Sequence, residues 1–152
     1  MFKINTILCP VDFSDAAHKA VGYAKEFAAT TGAAIYLLHV VEPIPIPPVD
    51  ASLNYIQIEE ELEKAAETDL NTLKDSLASS GLKVDGSLET GNPADIILEK
   101  AEELQVNFII MGSHGRKGLN RLIMGSVADA VIRKSDCPVL IVKSDEKEFI
   151  GE

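Results

Sequence analysis

Five candidate strands alternate with stretches of helical periodicity along this chain, and that alternation admits few folds. Four are apolar runs, at 6–11, 34–41, 106–111 and 138–142, and the third in order, 83–89, is a weaker alternating stretch. Each has the length of a strand, far short of the ~20 apolar residues of a membrane span. The second run is almost unbroken in its apolarity, which suits a strand covered on both faces. Strands alternating with helices through short connections give a parallel sheet with helices on both sides. The 152 residues fit one domain. It is placed at 1–144, with a charged tail at 145–152 that is expected to fray.

Local signals mark the helices. Ser14 is a candidate N-cap, followed by Ala17, Ala20, Val21, Ala24, Phe27 and Ala28 at helical spacing, with Gly32 as the stop. A long acidic helix is expected over about 55–80. Its apolar stripe is Ile58, Leu62, Ala65, Ala66, Leu70, Leu73 and Leu77. Asn92 and Pro93 read as N-cap and N1 of the next helix, and a short last helix is expected over 127–134. The proline-rich stretch 42–54 is either a flap over a site or a stiff surface connection.

Composition excludes several classes. Acidic residues number 24 against 14 basic, a net charge of -10, and aromatics are 5%. That balance argues against a nucleic-acid binder, which needs a broad basic face. The start of the chain lacks the pattern of a signal peptide, so a cytoplasmic location is expected. Cys9 and Cys137 read as buried, inert thiols, and no Cys/His cluster has metal-ligand spacing. His39, inside the second strand, reads as a hydrogen-bonded core or edge histidine rather than a catalyst.

The stretch 109–127 departs from this plain pattern. An apolar strand ends in Gly112, glycines follow at 115 and 118, and Gly125-Ser126 opens a helix. A strand, a glycine loop and a helix N-terminus form an anion cradle, because the backbone can approach a phosphate and the first helical N–H groups are unpaired. Residues 104–128 contain no Asp or Glu but do contain Arg116, Lys117 and Arg121. A flexible loop with ordinary solvated charges is the alternative. Asp12 follows the first strand. If the first and fourth strands are neighbours, it faces the cradle, where it suits ribose hydroxyls or a phosphate-bound Mg²⁺. It could instead simply stabilise the start of the first helix. His114, Arg116 and Lys117 could touch a terminal phosphate, with His114 as a mere polar loop residue the other reading.

With these features in place, the sequence resembles the universal stress protein family, in its ATP-binding branch, over essentially the whole chain. The resemblance rests on Ile-Leu-Cys-Pro-Val-Asp-Phe-Ser at 7–14, Leu-Leu-His-Val at 37–40, Gly-Asn-Pro-Ala at 91–94 and Cys-Pro-Val-Leu-Ile-Val at 137–142. Most specific is a nucleotide signature: glycine, two residues, glycine, nine residues, glycine, then Ser or Thr. Gly112, Gly115, Gly125 and Ser126 fill it without a gap. The resemblance implies an α/β, Rossmann-like open sheet of five parallel strands in the order 3-2-1-4-5. It implies ATP as ligand, with Mg²⁺ or Mn²⁺ the expected ion. Pro10, Val11 and Asp12 would border adenine and ribose, and the backbone of Val40 would meet the adenine. Met111 and Gly112 would form the ribose-side wall. Gly115, Gly125, Ser126 and Val127 would surround the triphosphate. It also implies a homodimer through the last strand. Independently, the run Pro138, Val139, Leu140, Ile141, Val142 is an apolar edge in that order, unless the tail shields it.

Three functions stay open at this point. The favoured one is a nucleotide-dependent regulator or sensor in the stress response with little or no hydrolysis, acting on a protein partner yet to be identified. The others are a slow ATPase and a dimeric scaffold with incidental nucleotide. No G-x-x-x-x-G-K-[ST] loop is present, which removes the phosphate-reaching lysine of P-loop enzymes.

Overall fold

Local capping chemistry sets the helix ends in the computed structural model, which describes residues 1, 3–45, 52–115, 123–147 and 150. After β1 (Thr6–Pro10), Ser14 accepts from Ala17 N–H and starts α1 (Asp15–Thr31), and Gly32 stops it at φ 75°. After β2 (Ala34–Val41), α2 (Ser52–Ser79) and β3 (Val84–Thr90), Asn92 caps α3 (Pro93–Glu103) by accepting from Asp95 N–H. β4 (Phe108–Gly112), α4 (Ser126–Lys134) and β5 (Val139–Val142) complete the chain. All strand pairs are parallel, and the sheet order is β3-β2-β1-β4-β5.

The strand period of two divides the core between the faces. Ile7 and Cys9 of β1, with Ile35, Leu37 and Ile110, pack against Ala20, Ala24, Leu70 and Leu77 from α1 and α2. Leu8, Leu38, Ile109 and Met111 face Ile97, Ala128 and Val131 from α3 and α4. The buried face of α1 is mostly alanine (Ala16, Ala17, Ala20, Ala24, Ala28), so this helix lies close on the sheet.

Several expectations need correction. β4 starts two residues late, because Gln105 adopts φ 48° and Asn107 stays in the turn. There its Oδ1 accepts from the amides of Asn5 and Thr6 at 2.7 and 3.0 Å, tying the turn to β1. The stripe of α2 covers the sheet only over its second half. Leu70 and Leu77 are buried, whereas Ile58 and Leu62 are 45% and 50% exposed. The reason is length: 28 helical residues span about 42 Å, while the seven of β3 span about 23 Å. The described part of the tail makes contacts with α1. Lys19 Nζ donates to the carbonyls of Ser144 and Glu146, and Ile150 packs on the α1-side core. Among the described residues no helix is long and apolar enough to cross a membrane.

The reading of both cysteines as buried holds for Cys9 only. Cys9 is fully buried, and desolvation pushes its thiol up to about 12; Cys137 is half-buried. Iodoacetamide at pH 8 is therefore expected to label Cys137 in the native protein and Cys9 only after denaturation, as peptide mass spectrometry would read. Equal labelling of both would contradict the burial of Cys9.

Candidate functional site

The strand order places a reversal between β1 and β4, so the loops leaving these strands diverge and open a crevice at their carboxyl ends. A cavity of about 470 Å³ lies there, within the ~300–1,000 Å³ of small-molecule sites.

The β1 side is built by an unusual turn. Phe13 adopts φ 60°, a conformation uncommon for residues other than glycine. The turn brings Asp12 Oδ1 onto the amide of Ser14 at 3.0 Å and onto the Ser14 hydroxyl. One carboxylate oxygen is thus committed to the helix start. The other, Oδ2, faces Gly115: a Cβ there would lie 2.5 Å from it. The helix-start reading of Asp12 thus holds for Oδ1, while Oδ2 is turned toward the glycine loop.

The β4 side folds back on itself. Ser113 N–H donates to Val142 O at 2.8 Å, and Gly125 N–H donates to Ser113 O at 2.7 Å. A Cβ on Gly125 would stand 3.0 Å from that same Ser113 oxygen. Gly125 is the N-cap of α4 and offers no side-chain cap, so among the described residues no side chain caps the first-turn N–H groups. Ser126, Val127 and Ala128 all border the cavity. Ser113 Oγ lies 2.9 Å from His114 Nδ1, and His114 Nε2 is buried with no hydrogen-bond partner among the described residues.

On β2, Val11 N–H donates to Leu38 O and Gly91 N–H donates to Val41 O. Residues 38 and 41 therefore face opposite neighbours. Val40, with the parity of 38, turns its N–H and C=O toward the β1 side, beyond the last rung of that ladder.

The structure gathers Pro10, Val11, Asp12, Val40, Met111, Gly112, His114, Gly115, Gly125, Ser126 and Val127 around this one cavity. Arg116, Lys117, Gly118 and Arg121 lie outside the described residues, as does the segment 46–51 of the expected flap. Gly112 borders the cavity, but its lack of a side chain serves α1: a Cβ would stand 2.9 Å from Ala16 Cβ. Sequence reasoning missed Leu38, His39, Glu42, Pro93 and Ser113, which also line the cavity. Their signal was position, since each sits at or just beyond the carboxyl end of a strand or at the helix start that follows.

The profile of the Universal stress protein family matches residues 3–143. The chain belongs to the universal stress protein family. It is 34% identical over 142 residues to universal stress protein MJ0531 of Methanocaldococcus jannaschii, covering 93% of this chain and 84% of that one. The solved structure of MJ0577 from the same organism is 32% identical, with TM-score 0.80 over 97% of this chain and 99% of that one. A universal stress protein of Archaeoglobus fulgidus, solved in complex with dAMP, is 27% identical, with TM-score 0.65 over 94% and 100% of the two chains. The order 3-2-1-4-5 implied by the resemblance is thus the observed one, in a Rossmann-like sheet that matches solved universal stress proteins.

Proposed function

We propose that this universal stress protein binds an adenine nucleotide, ATP by preference, in the cavity between β1 and β4. It would act as a nucleotide-dependent regulator with little or no hydrolysis. The observation that carries this is the α4 N-terminus: a glycine cap without a side-chain bond presents three cavity-lining residues. Unpaired N–H groups and the positive end of the helix dipole suit a phosphate. Facing it, Asp12 Oδ2 suits ribose hydroxyls, or a Mg²⁺ or Mn²⁺ ion carried on the phosphates. The backbone of Val40 offers a donor and an acceptor to the edge of a base, and Pro10, Met111 and Val127 supply apolar walls. The dAMP-bound relative supports the adenine class.

Turnover would need a proton acceptor near the attacking water. His114 Nδ1 is engaged with Ser113 and Asp12 Oδ1 with Ser14, which leaves Asp12 Oδ2 and His114 Nε2 as the candidates for a weak hydrolysis. The test is the nucleotide carried by the freshly purified protein, released by denaturation and resolved by ion exchange. ATP is the expected content. ADP would favour hydrolysis, and failure to bind ATP in a direct titration would remove the proposal.

A homodimer through β5 is part of the same proposal. The described tail is tied to α1 through Lys19, with Glu146 and Lys147 near Leu140, Ile141 and Val142, and among the described residues β5 pairs only with β4. Pro138 O and Val142 O both accept from β4 and its loop, so residues 139 and 141 turn their amides to the open edge. Ile141→Pro deletes one outward amide and leaves the β4 ladder intact. It is expected to convert a dimer to a monomer by light scattering; a variant that stays dimeric would place the interface elsewhere.

A further inference from the structure

The side chain of His39 is tied to the loop that carries Asp12. In a parallel ladder, each rung is followed by one from the residue two further on. Between β1 and β2 the last rung is Val11 N–H to Leu38 O, at 2.8 Å. The next would run from Val40 N–H to Val11 O. Among the described residues that carbonyl instead meets His39 Nδ1, at 2.7 Å. A carbonyl only accepts, so Nδ1 carries the proton. The imidazole takes the place of the next rung, and the Val40 amide is left turned to the cavity.

The same ring braces the turn beyond. Its centroid lies 5.0 Å from that of Phe13, with the planes at 44°. Phe13 is the residue at φ 60°, and its conformation is what seats Asp12 Oδ1 on Ser14 and leaves Oδ2 toward Gly115. A conformation this uncommon persists only where its surroundings hold it. His39 supplies two such restraints from β2, one on the backbone before Asp12 and one on the ring after it.

We propose that His39 is a positioning residue of the nucleotide pocket: its Nδ1–H···O=C bond to Val11 keeps the Val40 amide available and fixes the orientation of Asp12. This rests on the adenine-nucleotide reading above. It also gives the histidine of the strand a role that burial alone does not require, since a leucine would fill the same space.

The experiment is calorimetric titration of the full chain with Mg·ATP for the wild type, His39→Leu and His39→Asn, with thermal melts alongside. An asparagine amide stands close to where Nδ1–H stands. His39→Leu is expected to fold and to bind about 30-fold more weakly, a loss of the size incurred when a buried polar group loses its partner. His39→Asn is expected to stay within about fivefold of the wild type. If His39→Leu fails to fold, His39→Gln replaces it, because its amide reaches the Nε2 position instead. Long-range ¹H–¹⁵N spectra of the ligand-free protein should show the Nδ1–H tautomer. Wild-type affinity in folded His39→Leu, an Asn variant as weak as Leu, or an Nε2–H tautomer would each overturn the proposal. A wild type that binds no adenine nucleotide would overturn the underlying reading and this proposal together.

Discussion

Gly112→Ala is expected to lower stability by about 1–3 kcal/mol, the range for overpacking a tight site, and Gly112→Leu by more. An added Cβ would stand 2.9 Å from Ala16 Cβ and 3.0 Å from both Ala16 C and Ala17 N. Two of those three atoms are backbone, so no rotamer change relieves the contact. Nor can α1 retreat freely, because its first turn is fixed by the Ser14 hydroxyl on Ala17 N–H at 3.2 Å. Urea melts would measure the loss as a fall in midpoint with the slope unchanged. Ala16→Gly in the Gly112→Ala background should recover only part of it, since the backbone contacts remain. An unchanged midpoint in Gly112→Ala would show that α1 is not held down on the end of β4. The consequence for function is direct: weaker nucleotide binding in a Gly112 variant reports a displaced α1 as much as any contact with phosphate.

That distinction separates what the sequence could and could not convey about the site. Ser14, Gly32, Asn92 and Pro93 act within a few residues of themselves, and each has the role its local spacing indicated. The signature glycines were equally visible, but their reasons are tertiary. Gly112 meets α1, Gly115 meets Asp12, and Gly125 meets Ser113. A pattern gives the spacing of such contacts and not their partners. The exposed half of α2 fails for a related reason: helical periodicity marks an apolar stripe but carries no measure of how far the sheet beneath extends. His39 was hidden by its neighbours. In an apolar strand its parity places it on the α1 side with Leu37, yet its height at the carboxyl end of β2 decides that it meets Val11 and Phe13.

Gly115→Val is expected to weaken ATP binding by about 100-fold, or about 2.8 kcal/mol, while costing the fold no more than about 1 kcal/mol. A Cβ at this position would stand 2.5 Å from Asp12 Oδ2, with no backbone atom among its close neighbours in the described residues. The carboxylate must therefore rotate, and it is not free to do so without cost, since Oδ1 takes both the amide and the hydroxyl of Ser14. Either Asp12 leaves Ser14 or the valine pushes the β4 loop outward; both remove the oxygen from the face of the cavity opposite α4. Because the effect runs through Asp12, it should not add to the loss of that residue. Asp12→Ala with Gly115→Val is expected to bind no more weakly than Asp12→Ala alone, the non-additivity of two groups sharing one contact. Fully additive losses would mean that Gly115 acts on the phosphates by itself, as close backbone approach in a cradle requires. The two outcomes distinguish a glycine that makes room for a ligand from one that makes room for the side chain that holds it, and the distance to Asp12 favours the second.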